Sequence, residues 1–337
     1  MMTVLGIESS CDECAAAVVL DGRRIVSSII ATQTELHAQY DGVVPEIASR
    51  LHAEWIHGVV SKALDDASLT MSQVDGVAVT SSPGLAGSLL VGVSFAKALA
   101  WSSGKPFVGV NHVLAHLYAP LLSEDIAYPF LGLMVSGGHT LICRVDGFDD
   151  ISILGTTLDD AIGEAFDKVA KHYCFGYPGG VAIDRLARQG DAAAASFPLS
   201  NSFKGEHRYD VSYSGIKTAA IRQLDQFWNP GYPRNDQNLA AAFEKAAVDM
   251  LASRLFRAIE DTGISTVVAG GGVAANTYLR NKLAGYTGVR TVFPPLSLCG
   301  DNAAMVAGLG YHMLVRGDRD GLELNASPRV AAFKRPV

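Results

Sequence analysis

Apolar residues at the start of the chain come in short runs broken by small polar turns. "TVLGIESS" reads as a strand and "CAAAVVLDG" as a second, joined by the tight "SCDE" connection. "RRIVSSIIAT" continues as a third after a turn at Asp21–Gly22. From Pro45 the period changes: Ile47, Leu51, Trp55, Val59 and Leu64 recur at helical spacing through "EIASRLHAEWIHGVVSKALDDA". "VDGVAVTSS" is again a strand, ending in the glycine-rich turn "PGLAG" ahead of a helix, "SLLVGVSFAKALAWSSG". The strand "PFVGV" then leads into "NHVLAHLYAPLL", an apolar run with two histidines four apart.

The opening pattern returns in the middle of the chain. "LGLMVSGGHTLICRV" has the length and the strand, small polar turn, strand layout of "LGIESSCDECAAAVV", and each crosses an Asp-Gly turn into a third strand. The helix "LDDAIGEAFDKVAKHY" follows the copy. The irregular stretch from about 174 to 235 predicts a largely helical insertion. Beyond it come a long helix from Gln237 to Asp261, the strand "TVVAGGG", the helix "VAANTYLRNKLA", the strand "VRTVFPP" and a last helix near "DNAAMVAGLG". This is the layout of an α/β fold with two duplicated lobes of the actin/Hsp70/sugar-kinase (ASKHA) class around a central nucleotide cleft. The expected division is an N-terminal lobe over 1–110 and a C-terminal lobe over 111–337, with the last helix packing back on the first lobe. A plain doubly wound sheet is the competing reading. "GGGVAANT" lacks G-x-G-x-x-G spacing and no acid follows at the distance a dinucleotide fold needs.

Composition narrows the class. The 337 residues are 49% hydrophobic and 18% charged, which supports ordered cores and argues against disorder. The net charge of −7 gives no bulk pull toward nucleic acid, so any such contact must come from a local basic face. Five scattered cysteines fit a reducing compartment. Cys11 and Cys14 form a CxxC, but no second pair follows at zinc-site spacing. The N-terminus lacks a signal peptide's basic start, and no apolar run has the roughly 20 residues of a membrane span. A cytoplasmic protein with no membrane association is expected.

The 34 glycines cluster beside strand-like runs, where backbone can approach a ligand closely. In "MVSGGHT", Ser136 and the N–H groups of Gly137 and Gly138 are candidates to cradle a phosphate; a structural hairpin turn explains them too. In "GYPGG", Gly180 precedes a helix bearing Asp184, which with Asp167 on the preceding helix suits ribose hydroxyls. Asn276, after "GGGVAA", has a donor and an acceptor for an adenine or ribose edge, or caps its helix. His112 and His116 share a helix face and can reach one ion, yet the spacing also fits packing. Asp301, in "CGDNAAM", is both a natural helix N-cap and a natural third ligand. Two imidazoles and a carboxylate suit iron, zinc or manganese better than magnesium. There is no Walker lysine and no G-x-S-x-G nucleophile elbow, and "HAEW" lacks the second histidine of a zincin helix.

Taken together, "GIESSCDE", "VVPEIASRLHAE", "NHVLAH", "VSGGHT", "AFDKVAK", "GYPGG", "YSGIKTA", "GGVAANTYLR" and "LCGDNAAM" resemble the bacterial tRNA adenosine threonylcarbamoyltransferase (TsaD) family, in the family's order and over essentially residues 3 to 315. That family once carried the label O-sialoglycoprotein endopeptidase. The resemblance implies transfer of the threonylcarbamoyl group of threonylcarbamoyl-AMP to N6 of adenosine 37, in tRNAs reading codons that begin with A, with release of AMP. It implies a metal on His112, His116 and Asp301, usually iron (Fe2+) with zinc as a substitute. The stretch Met134, Val135, Ser136, Gly137 and Gly138, with Asp167, Gly180, Asp184 and Asn276, would hold the adenylate. Asp12 and Glu13, in the first hairpin turn, are candidates to accept the amine proton, or they organise the turn. The implied partners are tRNA, a TsaB-like inactive paralogue, a TsaE-like ATPase and a threonylcarbamoyl-AMP synthase that supplies the substrate. The helix from Glu46 to Asp65 is a candidate face for the paralogue.

Three departures from the family pattern stand out. Val113, Leu114 and Ala115 intervene between the histidines without the family's usual acid. Cys14 and Gly300 replace usual threonines. Met134 stands where the archaeal branch has a tyrosine, which favours a three-ligand site. An ATP-dependent small-molecule kinase on the same fold and a non-catalytic scaffold are the readings left in competition.

Overall fold

The structure, a computed structural model, describes residues 1–199 and 203–329. Residues 200–202 and 330–337, which fall in the expected insertion and C-terminal lobe, lie outside the described residues. The described chain forms two compact units, Met1–Ile126 together with residues 294–329, and Ala127–Phe293.

The first unit begins with β1 (Thr3–Glu8), β2 (Glu13–Leu20) and β3 (Arg24–Thr32), then α1 (Thr34–Ala38), α2 (Pro45–Asp66), β4 (Gly76–Ser82), α3 (Ala86–Ser103), β5 (Phe107–Asn111) and α4 (His112–Tyr118). Its sheet has the order β3-β2-β1-β4-β5. β1, β2 and β3 pair antiparallel, while β4 joins β1 and β5 joins β4 in parallel. All six residues of β1 are buried, the mark of a strand covered on both faces. Leu5 and Ile7 point into a core that includes Ile56, Val60, Val93 and Ala96 from α2 and α3.

The second unit repeats the plan with β6 (Phe130–Val135), β7 (Thr140–Val145), β8 (Ile151–Thr156), α5 (Ile162–His172), α6 (Gly179–Ala187), α7 (Ser214–Arg222), α8 (Leu224–Phe227), α9 (Asp236–Thr262), β9 (Thr266–Gly270), α10 (Thr277–Ala284) and β10 (Arg290–Val292). Its order, read from the third strand, is β8-β7-β6-β9-β10, with the same alternation of antiparallel and parallel neighbours. The duplicated ASKHA-type fold expected from the sequence is therefore present. The last helix, α11 (Ala303–Arg316), lies on the first unit's sheet opposite α2 and α3. It packs so closely that a Cβ at Gly6 would strike the Ala303 carbonyl oxygen and come within 2.8 Å of Ala307 N. The chain after α11 runs along the edge strand β5: Asp320 N–H donates to Phe107 O at 2.9 Å and Gly109 N–H to Asp320 Oδ2 at 2.7 Å. That covers an edge that would otherwise be open to other strands.

Two helices differ from expectation. The buried stripe of α2 is Ala48, His52, Ile56, Val59, Val60 and Ala63, so Ile47, Leu51, Trp55 and Leu64 lie on its half-buried flank. Ile56, Val59, Val60 and Ala63 lie within the core, with Trp55 and Leu64 packed against its margin. The helix expected from Val273 begins only at Thr277, after a 3-10 turn at Gly272–Ala275, because Asn276 Oδ1 accepts from Leu279 N–H at 2.8 Å and caps it there. The stretch from 174 to 235 contains α6, α7, α8 and short 3-10 turns. It is tied down by Asp159, whose carboxylate accepts from Tyr213 N–H at 2.7 Å and from Ser214 N–H at 3.3 Å.

Candidate functional site

β5 delivers the chain to the histidine helix. Asn111 Oδ1 accepts from Val113 N–H at 2.9 Å and Leu114 N–H at 3.2 Å, so the helix starts at His112 and puts His116 one turn further on the same face. The imidazole centroids are 4.5 Å apart, nearly edge to face. Asp301 comes from the turn before α11. The cap of α11 is its neighbour Asn302, whose Oδ1 accepts from Met305 N–H at 3.0 Å. The capping alternative for Asp301 is thereby overturned, and its carboxylate turns to the histidines. Asp301 Oδ1 is 3.0 Å from His116 Nε2 and 3.5 Å from His112 Nε2. Among the described residues, one donor atom from each of these three lies within 4.8 Å of the other two, a group able to hold a metal ion.

The charges around this group are concentrated. His112 is sandwiched between Asp301 and Glu8, whose Oε2 is 2.9 Å from Nδ1. Burial opposes a charge on this ring, but the two carboxylates prevail and push it up to about 9. His116 is held below its ordinary value by burial and by the neighbouring His112. Glu13 is pushed up to about 10 by burial, then by the charges of Asp301 and Asp12. Its carboxyl is thus neutral at pH 7, bonded to Thr32 Oγ1 at 3.3 Å. Asp12 and Glu13 belong to the same unit as the three donors.

The second unit carries the other sequence candidates. Met134 and Val135 are fully buried at the end of β6, so only their backbone is available there to a ligand. The turn beyond is closed by Ser136 N–H to His139 O at 2.8 Å and by His139 N–H to Ser136 Oγ at 3.1 Å. Gly137 and Gly138 are exposed, and a Cβ on either would meet nothing within 4 Å. Asp167 Oδ1 accepts from Gly179 N–H at 2.7 Å, seating the start of α6 with Gly180 in its first turn. Asp184 accepts from Thr277 N–H at 3.0 Å and pairs with Arg188. Asn276, besides capping α10, donates from Nδ2 to Glu244 Oε1 at 2.6 Å. Asp184 and Asn276 thus join α6, α9 and α10 to one another. Among the basic residues of the second unit, Lys217 is engaged with Asp160, and Arg208 lies 3.2 Å from Asp261.

The family model described as tRNA N6-adenosine threonylcarbamoyltransferase (TsaD) matches residues 24–308. A protein of that name from Treponema denticola is 60% identical over 334 residues, 99% of each chain. The chain belongs to the TsaD family. A TsaD relative from Treponema pallidum is 55% identical over 99% of this chain and 95% of its own, and one from Borreliella burgdorferi 52% over 99% and 96%. Membership makes the chain an enzyme, a tRNA-modifying transferase. Full-length HypF resembles it with a TM-score of 0.61 at 14% identity over 92% of this chain and 46% of HypF. Component A of (R)-2-hydroxyglutaryl-CoA dehydratase from Acidaminococcus fermentans does so with a TM-score of 0.54 at 15% identity over 94% and 100%. At such identities the likeness is one of fold. Among the described residues no helix is long and apolar enough to cross a membrane.

Two buried acids of this TsaD chain escaped the sequence reading. Glu8 was visible only as the polar end of an apolar strand, and Glu244 as one acid among several on a long helix. A carboxylate at a position that periodicity places inside was the signal available for both.

Proposed function

We propose that the chain transfers the threonylcarbamoyl group of threonylcarbamoyl-AMP to N6 of adenosine 37 in tRNAs that read codons beginning with A. The adenine N6 attacks the carbamoyl carbonyl, the carbonyl–phosphate bond breaks, AMP leaves, and the proton on N6 passes to the protein. The observation that carries the reading is the convergence of His112 Nε2, His116 Nε2 and Asp301 Oδ1 in a chain of this family. The donor set fits a divalent ion of borderline softness, iron first and zinc as a substitute. Such an ion, when bound, would supply Lewis-acid stabilisation of the charge that develops on the carbonyl or phosphate oxygens.

The chain's own residues divide the remaining work. Asp12 is assigned as proton acceptor in preference to Glu13, whose carboxyl is already protonated near neutrality. The amides of Gly137 and Gly138 offer donors to the adenylate phosphate, with Ser136 and the backbone of Met134 and Val135 shaping the turn. Asp167, Gly180, Asp184 and Asn276 form the nucleoside end of the site, and Asp184 and Asn276 contribute there by holding three helices in register. A TsaB-like paralogue, a TsaE-like ATPase and a threonylcarbamoyl-AMP synthase complete the system in the cytoplasm, the half-buried flank of α2 being a face for the paralogue.

The test is incorporation of carbon-14 threonine into unmodified tRNA. The mixture holds the synthase, both partner proteins, ATP and bicarbonate, with the wild-type chain or His116→Ala. Label at the position-37 nucleoside with wild type alone is the expected result. Equal label with His116→Ala would remove the metal from the mechanism. No label with either, from folded proteins, would favour the small-molecule kinase or the scaffold.

A further inference from the structure

The two histidines share one turn of helix, but their far nitrogens are treated differently. His116 Nδ1 is buried with no hydrogen-bond partner. His112 Nδ1 faces Glu8 Oε2 at 2.9 Å and Ser10 Oγ at 3.2 Å. Glu8 is 0% exposed at the last position of β1. Both of its oxygens are held from behind, Oε1 by Ser10 N–H at 2.6 Å and Oε2 by the Thr80 hydroxyl at 2.6 Å. A carboxylate at the buried end of a central strand is costly unless its charge is answered, and the answering group is the His112 ring.

We propose that Glu8 is a positioning residue for the metal: it orients His112. By accepting a hydrogen bond from Nδ1–H, Glu8 fixes the tautomer that leaves the Nε2 lone pair free for the ion, and it stops the ring from turning. Thr80 and Ser10 hold Glu8 in place. Glu8 stands on the opposite side of the ring from Asp301, so it supports a ligand and is not one. The two ligands are then unequal, since the Nδ1 of His112 meets a buried carboxylate and the Nδ1 of His116 meets no hydrogen-bond partner. Glu8 and Asp301 together bring two negative charges to the surroundings of one divalent ion. The inference rests on the metal reading of His112, His116 and Asp301.

The test uses cobalt(II) as the probe on the full chain, in wild type, Glu8→Gln, Thr80→Val and His112→Ala. It reads the dissociation constant by chelator competition, the visible d–d bands of the bound ion, and the circular dichroism of the metal-free proteins. Glu8→Gln is expected to weaken cobalt binding about 10- to 100-fold and to shift the d–d bands while the metal-free fold is retained. Thr80→Val, which removes only the outer hydrogen bond, should weaken binding a few-fold in the same direction, roughly the effect of one hydrogen bond. Wild-type affinity in a folded Glu8→Gln overturns the proposal, as does a loss in Glu8→Gln with none in Thr80→Val, which would make Glu8 a charge without an orienting role. If Glu8→Gln does not fold, Thr80→Val decides alone. Failure of the wild-type chain to bind cobalt at all would instead overturn the metal reading beneath it.

Discussion

β1 and β6 are the same strand in two copies of one sheet, and each ends in a fully buried residue; in the first copy it is Glu8 and in the second Val135. The turns beyond them diverge in the same sense. The first carries Asp12 and leads into Glu13, with Glu13 pushed up to about 10 by burial and neighbouring charge. The second offers Ser136 and two glycines, with open space where side chains would stand. Duplication has kept the backbone and divided the chemistry. One corner concentrates charge in a buried setting, and the other leaves bare amides at its tip. Buried acid does occur in the second unit, as Glu244 on α9, but there it is spent on Asn276 and helix packing.

The contrast can be broken most severely at its charged end. Asp301→Asn should reduce divalent-metal affinity by more than about 100-fold, measured by chelator competition, since it removes the one anionic ligand. The helix content of α11 should be kept, because Asn302 is its cap. Asp184→Asn, by comparison, should leave metal affinity untouched and lower stability to urea by about 1–3 kcal/mol, the cost of disturbing a buried bonded carboxylate. Equal metal loss in both variants would erase the distinction between the two units.

Gly6→Ala tests the scaffold beneath the first corner. Its Cβ would meet the backbone of α11, which cannot yield as a flexible side chain does, so a loss of about 3 kcal/mol is expected. Glu244→Gln sharpens the second unit. Burial, with the Asp184 charge adding to it, raises this carboxyl to about 7 against the Asn276 hydrogen bond. The folded state therefore holds the proton after the unfolded chain has lost it. Stability falls as pH rises from about 4.5 to about 7, and the full cost, on the order of 3 kcal/mol, persists above that. Glu244→Gln should flatten that slope and be the more stable protein at pH 8, read from urea midpoints at several pH values. An unchanged slope would place the proton elsewhere. The smallest effect belongs to Gly138→Ala, expected to change stability by less than about 0.5 kcal/mol because nothing stands near the new methyl group. Its consequence should appear as weaker AMP binding in calorimetry.

The fold was largely legible because its strands are short apolar runs between strong turns, and the internal copy announced the second sheet. The helical period of α2 was legible, but not that its buried stripe would include Ala48, His52 and Ala63 while Leu51 and Trp55 stay half-buried. Asp301 and Asn302 are both good caps by type, and only the backbone geometry decides that Asn302 takes the task. The convergence of His112, His116 and Asp301 was anticipated by residue type and family pattern. Glu8 and Glu244 were not, because their partners lie 104 and 32 residues away, at His112 and Asn276.

The placement of α11 has a consequence for the timing of synthesis. His116 and Asp301 are separated by 185 residues. A ribosome that has already released the first sheet and both histidines has still to make the whole second unit before the carboxylate exists. Until then the nascent chain carries two imidazoles with no third ligand, and the face of β1 at Gly6 awaits its helix. Loading of the proposed ion would therefore be a late event in the life of each chain, and a message broken before codon 301 yields a product whose histidines lack the Asp301 carboxylate.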